Sequence, residues 1–133
     1  MEDDIRIIEF PKINDERGDL TFLQKDIGLP FEIKRVFWTY DLKTHSKRGG
    51  HAYKRQNEVI SVVSGSANII VTNKNGSKEE FILNQANKGI YIPANIWRHV
   101  ENFATNTILL HISDSTYDEN DYIRNIDEYL ENE

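Results

Sequence analysis

The feature that most constrains the fold of this chain is a succession of short β-like runs with turn residues between them. Ten such runs follow one another, at residues 5–10, 19–25, 31–41, 50–54, 58–64, 66–72, 78–83, 89–92, 97–103 and 106–113. Between two of them, Asn75-Gly76 supplies the positive-φ residues that a tight hairpin turn needs. So many short strands in 133 residues predict one all-β domain, a sandwich or a closed barrel, since closure removes exposed strand edges.

Only at the end of the chain does the spacing of hydrophobic residues change from strand-like to helical. Apolar and aromatic residues recur at helical spacing behind three acids there, with Tyr122, Ile123, Ile126, Tyr129 and Leu130 following Asp118, Glu119 and Asp121. Acids at the start of a helix interact favourably with the positive end of its dipole. The pattern predicts one C-terminal amphipathic helix that covers a flank of the barrel or a partner subunit and has no catalytic role.

The composition indicates the cellular compartment in which the protein is expected. There is no cysteine, which excludes disulfides, thiolate metal sites and cysteine nucleophiles and favours a reducing cytoplasm. The N-terminal sequence MEDDIRIIEF has acids where a signal peptide has a basic region, and no apolar run approaches the ~18 residues of a membrane span. We therefore expect a cytoplasmic protein that does not cross a membrane.

The charge is distributed unevenly along the chain. The net charge of −6 argues against a general affinity for nucleic acid. Residues 31–55 nevertheless contain only two acids against seven basic residues, namely Lys34, Arg35, Lys43, Lys47, Arg48, Lys54 and Arg55. A basic stretch in an acidic protein suits a compact anion such as a diphosphate, although basic residues on a solvated strand face explain it equally well.

Four histidines are candidates for the chemistry. His45 lies in the polar loop KTHSKRGG, where a solvated side chain is expected. His111 lies in the apolar run ILLHIS, and a lone histidine in such a run is typically a hydrogen-bonded core residue. His51 and His99 remain as the active candidates.

The surroundings of His51 match the first cupin motif in spacing. Glu58 follows His51 by seven positions and Gly65 follows Glu58 by seven. Side chains two apart on a strand share a face, so His51 and Tyr53 should point into one cavity. The metal-binding motif has a second histidine where this chain has Tyr53, and tyrosine is a poor replacement for imidazole at a divalent metal. We therefore expect no metal and no cofactor.

Longer stretches of the sequence carry a more specific resemblance. They are DERGDL (15–20), PFEIKRVFWTYD (30–41), RGGHAYK (48–54), GIYIPANIW (89–97) and SDSTYDENDYIRN (113–125). Together they resemble the sugar 3,4-ketoisomerases of the cupin superfamily, which act on thymidine-diphosphate (TDP)-linked 4-keto-6-deoxyglucose. The resemblance implies a jelly-roll barrel, a role in deoxyamino-sugar biosynthesis for lipopolysaccharide or surface glycans, and a metal-free homodimer that exchanges N-terminal strands.

Two departures from the family pattern leave the product's configuration open. Many relatives read HAH where this chain has His51-Ala52-Tyr53, and many have a histidine directly after the tryptophan, where this chain has Arg98 and then His99. The family contains enzymes that give the galacto epimer at C4 of the sugar and enzymes that give the gluco epimer. The sequence does not decide between them.

The implied reaction assigns roles to particular residues. A ketoisomerase removes the C3 proton, passes through an enediol and delivers a proton to C4, for which His51 is the shuttle. Tyr53 would hydrogen-bond the enediolate or relay a proton between O3 and O4; the alternative is a wall residue. Seven residues are the expected substrate contacts: Arg35, Arg48 and Lys54 for the diphosphate, Arg17 and either Arg98 or His99 for the sugar, and Trp97 for stacking unless it belongs to the core.

Three other functions remain open at this point. A 3,5-epimerase of nucleotide sugars would exchange protons at C3 and C5 without moving the carbonyl. A sugar-binding cupin without catalysis would bind the same ligand and turn nothing over. A metal-dependent oxygenase would contain stoichiometric metal and lose activity to a chelator.

Overall fold

A computed structural model describes residues 4–131. The strands are β1 (Arg6–Glu9), β2 (Lys12–Asp15), β3 (Gly18–Thr21), β4 (Gln24–Lys25), β5 (Gly28–Leu29), β6 (Arg35–Thr39), β7 (Arg48–Tyr53), β8 (Glu58–Ser64), β9 (Ala67–Thr72), β10 (Lys78–Leu83), β11 (Lys88–Ile92), β12 (Trp97–Glu101), β13 (Ile108–Ser113) and β14 (Tyr122–Ile123). A 3₁₀-helix spans Glu119–Asp121, and helix α1 spans Ile126–Glu131. No helix in this described part is long and apolar enough to cross a membrane.

Ten of the strands form two five-stranded antiparallel sheets. The first sheet has the order β1-β11-β8-β13-β6, and the second has the order β10-β9-β12-β7-β14. The chain alternates between them, because β8, β11 and β13 belong to the first sheet and β9, β10 and β12 to the second. The prediction of an all-β, cupin-like domain is confirmed; because its two sheets are not closed into a barrel, the domain has the sandwich form of the two that were expected.

The apolar core lies between the two sheets. Its buried members come from both, including Ile69 and Val71 on β9, Ile90 and Ile92 on β11, and Leu109 on β13. Successive side chains of a strand point to opposite faces, so each strand sends every second side chain into this space. Burial of each such side chain contributes about 1.5–3 kcal/mol.

Where local sequence decides the structure, the strands match their predicted ranges. Strands β8 and β10 occupy residues 58–64 and 78–83 as expected. In the β9–β10 hairpin, Gly76 has a φ of 86° and its N–H donates to the Asn73 carbonyl at 2.9 Å. The hairpin is therefore present at the predicted place, but only Gly76 of the two turn residues has the expected positive φ.

The N-terminal third differs more from the prediction. Strand β2 was not predicted because all four of its residues are exposed and it lacks an apolar face. It pairs with β3, and the single strand predicted over 19–25 divides into β3 and β4. The strand predicted over 31–41 spans only Arg35–Thr39.

The prediction for the C-terminal segment is wrong in extent. Tyr122 and Ile123 are not helical but form β14, which pairs with Tyr53 and Ala52 of β7. The helix begins only at Ile126, because the Asn125 side chain accepts hydrogen bonds from the first free N–H groups and caps it there. A helix-like spacing of aromatic residues thus spans a strand, a turn and a short helix.

Side-chain contacts hold this segment against β7. The buried carboxylate of Asp121 accepts the backbone N–H groups of Arg55 at 2.9 Å and Gln56 at 3.2 Å. On α1, the buried Tyr129 donates its hydroxyl to the Thr72 carbonyl at 3.0 Å. The segment consequently places Tyr122 beside the inner face of β7.

Candidate active site

A pocket of about 220 Å³ opens between the two sheets, and it contains the strongest sequence candidates. It is lined by side chains from β6, β7, β12 and β13 and by the segment that begins with β14. His51, Tyr53 and His111 all face it. A larger pocket of about 440 Å³, on the other face of the first sheet, is lined by apolar side chains and two hydroxyls without any titratable acid or base. Of these two pockets, the smaller one therefore carries the groups capable of acid–base chemistry.

A bulge in β7 determines which side chains enter this pocket. His51 lies opposite Arg98, whereas Arg48 lies opposite Val100, so β7 has one residue more than β12 over this stretch. Gly49 takes up the extra length with a φ of +70°. Without the bulge, strand alternation would point Arg48 away from His51; with it, both line the pocket.

His51 is held as a partly buried, neutral imidazole. Its ring contacts the rings of Tyr53 and Tyr122, with centroids 4.6 and 5.1 Å away. Its Nε2 atom is buried and has no hydrogen-bond partner among residues 4–131. Burial and the nearby Arg98 charge lower the pKa of His51 to about 3. The ring is therefore free to accept a proton at neutral pH, although it is a weaker base than a solvated histidine.

Tyr53 is fully buried beside His51 and acts as a donor. Its hydroxyl lies 3.4 Å from Glu58 Oε2 and 3.4 Å from the Tyr122 hydroxyl. Burial and the Glu58 charge raise the pKa of Tyr53 above its ordinary value, so the phenol keeps its proton.

A buried ion pair lies behind these two rings. Arg98 Nη1 donates to Glu58 Oε1 at 2.8 Å, and both side chains are 1% exposed. Arg98 Nε also donates to the Ile96 carbonyl, and its guanidinium lies 5.0 Å from the centre of the Tyr53 ring. The pair places a guanidinium and its carboxylate counter-charge behind the Tyr53 ring, and neither side chain lines the pocket.

Strand alternation separates the two residues that the sequence left as alternatives. Arg98 points into the interior of the sandwich, whereas His99 points to the other face of β12. There His99 Nε2 lies 2.6 Å from Glu101 Oε1, and Lys47 lies near the same carboxylate. His99 does not line the pocket.

The residues at the motif's metal positions do not fit a divalent cation. The carboxylate that would be a ligand, Glu58, already binds the Arg98 guanidinium. Tyr53 keeps its proton, which makes it an unsuitable anionic ligand. Among residues 4–131 no three histidine, aspartate or glutamate side chains converge at metal-binding distance. A second positive charge beside Arg98 would be repelled.

The structure places the other predicted contact residues outside the pocket. Arg35 lies near its edge on β6, stacked at 4.7 Å over the Phe37 ring, with a hydrogen bond to Gln56. Trp97 is buried against Tyr129, as the core alternative expects. The two remaining residues, Lys54 and Arg17, are exposed, and Arg17 pairs with Asp15 at the β2–β3 turn.

Several residues of the pocket escaped the sequence analysis. Tyr122 and Arg124 enter it from the C-terminal segment, which was predicted to have no catalytic role. Arg124 lies over the Tyr122 ring at 4.1 Å and forms two hydrogen bonds with Glu119. The matched tail motif at residues 113–125 was the available signal, and the helical interpretation concealed it.

Comparisons with known proteins agree with this geometry. The model of the family described as FdtA: WxcM-like, C-terminal matches residues 3–133. The chain is 32% identical over 124 residues to the TDP-4-oxo-6-deoxy-alpha-D-glucose-3,4-oxoisomerase of Aneurinibacillus thermoaerophilus, covering 93% of this chain and 88% of that protein.

Solved structures of similar proteins have the same fold. A 3,4-ketoisomerase from Helicobacter canadensis is 39% identical, with a TM-score of 0.91, over 96% of this chain and 95% of that one. A variant of the 3,4-ketoisomerase QdtA from Thermoanaerobacterium thermosaccharolyticum, in complex with TDP-4-keto-6-deoxyglucose, is 32% identical, with a TM-score of 0.91, over 95% and 91% of the two chains.

Proposed function

Because the chain belongs to the FdtA, WxcM-like C-terminal family of cupin sugar ketoisomerases, we propose that it moves the keto group of TDP-4-keto-6-deoxyglucose from C4 to C3 through an enediol. The observation that supports this most is His51, a partly buried neutral imidazole that lines the pocket and whose Nε2 is unpartnered within residues 4–131. At about 220 Å³ the pocket is smaller than the ~300–1,000 Å³ of sites that enclose whole ligands, so it suits the sugar alone.

His51 carries one proton between adjacent carbons. It takes the proton from C3, the C3–H electron pair forms the C3=C4 bond, and His51 then returns the proton to C4. The low pKa of His51 limits its strength as a base in the empty pocket. Negative charge that develops on the enediolate opposes this effect, because a nearby anion raises the proton affinity of an imidazole.

The surrounding dipoles and charges favour the enediolate. Tyr53 keeps its proton and can donate a hydrogen bond to the developing oxyanion. The fixed guanidinium of Arg98 stabilises negative charge in the same low-dielectric space. His99 faces the other side of β12, and Arg98 lies behind Tyr53 in its pair with Glu58, so Arg98 acts on the sugar through its charge and not by direct contact.

The diphosphate lies at the mouth of the pocket, where Arg48 and Arg124 are close to the sugar site. Arg35, Lys54 and Arg17 lie outside the pocket, where they can contact only the more distant nucleotide portion of the substrate. Trp97 has a packing role against Tyr129.

We propose further that two copies associate through the first sheet. Its outer face exposes Val36 and Val63 beside the apolar pocket of about 440 Å³, and exposed apolar patches mark interfaces. Strand β1 pairs with β11 at the edge of this sheet, where the equivalent strand of a second copy can replace it. Light scattering should give twice the mass of one chain for the parent protein. The double variant Val36→Lys with Val63→Lys should give the mass of a single chain.

The proposed setting is the cytoplasm, where the isomerase supplies 3-keto sugars for amination in surface-glycan or lipopolysaccharide synthesis. The absence of cysteine suits that reducing compartment. Fractionation of cells that produce the protein tests the location directly. Recovery in the membrane or periplasmic fraction would contradict it.

The test of activity is proton NMR of TDP-4-keto-6-deoxyglucose incubated with the protein in deuterated water. We expect the ketone to move to C3 and a proton or deuteron to appear at C4, whose coupling identifies the galacto or gluco product. A ketone that stays at C4 while C3 and C5 exchange indicates a 3,5-epimerase. Binding without any exchange indicates a non-catalytic cupin.

A further inference from the structure

The pocket contains a second buried imidazole that the mechanism above does not use. His111, on β13, lines the same pocket as His51, and its side chain is 12% exposed. Neither of its ring nitrogens has a hydrogen-bond partner among residues 4–131. Buried polar atoms without partners are rare in folded proteins, and each one needs an explanation.

The fold fixes the orientation of this ring. Phe37 stacks on it with the ring centroids 4.4 Å apart and the planes 4° from parallel. The Nδ1 atom of His111 lies 3.6 Å from Glu58 Oε2, just beyond hydrogen-bond length. Arg98 holds the other carboxylate oxygen at 2.8 Å. A carboxylate beside Nδ1 favours the tautomer with its proton on Nδ1, which leaves Nε2 with its lone pair free.

Moving a keto group between adjacent carbons requires two proton transfers. One proton passes from C3 to C4, which is the task of His51. The second transfer is between the oxygens. O3 loses a proton as its hydroxyl becomes a carbonyl, and O4 gains a proton as its carbonyl becomes a hydroxyl. A second group that accepts and returns a proton therefore completes the reaction.

Tyr53 is poorly suited to this second transfer. Its single hydroxyl proton already has two acceptors in the protein, Glu58 and the Tyr122 hydroxyl. Burial and the Glu58 charge both oppose the phenolate. A group that resists losing its proton can stabilise an oxyanion but is slow to relay a proton.

We propose that His111, oriented by Glu58, is a second catalytic residue that carries a proton from O3 to O4 while His51 carries the other from C3 to C4. This rests on the proposed ketoisomerase function. His51 takes the C3 proton, the C3–H pair becomes the C3=C4 bond, and the C4=O4 π pair moves to O4 as an enolate. His111 then accepts the O3 proton at Nε2 and gives it to O4. The electron pair left on O3 forms C3=O3, and the C3=C4 pair takes the proton from His51 at C4. Both imidazoles end as they began, and no oxidant is required.

The test separates the two transfers by following substrate and product in deuterated water. The variants are His111→Gln and His111→Asn, and the matched control is His45→Asn in an exposed loop. We expect both His111 variants to form the 3-keto product at least ~100-fold more slowly, the usual size of a general acid–base contribution. Deuterium should still enter C3 of the recovered substrate, with a rate that falls no more than about tenfold, because His51 is intact.

The controls define what contradicts the proposal. TDP binding by calorimetry should stay within threefold of the parent protein in at least one His111 variant, and His45→Asn should match the parent in every measurement. Product formation within threefold of the parent, exchange and product falling in parallel, or loss of TDP binding in both variants would show that His111 is a wall residue. If the parent protein itself moves no ketone, the proposed function fails instead.

Discussion

The buried pair between Glu58 and Arg98 gives the sharpest test of how charge is arranged in this domain. Glu58→Gln removes the negative partner and leaves a guanidinium that is 1% exposed without its counter-charge. Breaking a buried ion pair from one side costs about 3–5 kcal/mol, because the remaining charge has lost both water and partner. We therefore expect the free energy of unfolding at pH 7 to fall by that amount.

The ionisation of Glu58 gives a second measure of the same effect. Burial alone would raise the pKa of this carboxyl, but the His111 ring and the Arg98 guanidinium outweigh it and hold the pKa at about 2, against an ordinary 4.5. The difference corresponds to about 3 kcal/mol. Because the pKa is lower in the folded state, this stability is present above pH 4.5 and is lost as the pH falls towards 2. This value agrees with the lower end of the range expected for the loss of stability in Glu58→Gln.

Urea unfolding followed by tryptophan fluorescence measures the loss. For a domain of this size, 3–5 kcal/mol lowers the Tm by roughly 10–20 °C. The double variant Glu58→Gln with Arg98→Met should recover most of the stability, since no buried charge remains unpaired. Glu80→Gln, on the exposed face of β10, is the matched control and should change the free energy by less than ~0.5 kcal/mol.

Two results would refute this reasoning. A loss below about 1 kcal/mol in Glu58→Gln would mean that the Arg98 charge is solvated. A double variant no more stable than the single one would mean that Glu58 acts through packing or through Tyr53 rather than through its charge.

Three further predictions follow from the site and its supporting turns. His51→Asn should lower turnover at least ~100-fold while TDP affinity changes less than threefold, measured by NMR and calorimetry; a variant that retains turnover would exclude His51 as the base. The pKa of His51 is lowered to about 3 in the folded state, so the unfolded chain binds more protons between pH 3 and 6.5 and stability should rise with pH across that window. The parent protein should gain about 2 kcal/mol between pH 4.5 and 6.5 that His51→Asn does not; equal slopes would contradict the burial of the ring. Gly65→Ala should cost at least ~2 kcal/mol in urea unfolding, because Gly65 has a φ of +83° and a Cβ there would lie 2.8 Å from Thr107 Cα, whereas Gly76→Ala, at a similar φ but in open space, should cost less.

Much of the fold could be predicted because its signals are local. Alternating residues and the Asn75-Gly76 turn determine β9 and β10 and the hairpin that joins them. The spacing of His51, Tyr53 and Glu58 also predicted a site, because side chains two residues apart on a strand share a face wherever that strand packs. These features depend only on neighbours in sequence.

The C-terminal segment could not be predicted in the same way. Tyr122 belongs to a spacing that fits a helix, yet it forms a strand beside β7, because the Asp121 carboxylate accepts backbone N–H groups from the loop after β7. Those partners are about 65 residues away in sequence. Only the folded chain brings them together, and with them the Tyr122 ring that contacts His51.

The sequence by itself determined which residue types are available for chemistry and which share a strand face. It did not determine which face turns inward. Arg98 rather than His99 turns inward because β12 directs that face at the core, and Arg48 enters the pocket because a bulge at Gly49 reverses the alternation of β7. His111, expected in the core, lies in the pocket because β13 pairs between β6 and β8 with that face towards the second sheet. Strand register and sheet pairing are set by contacts distant in sequence, so the tertiary structure alone decided them.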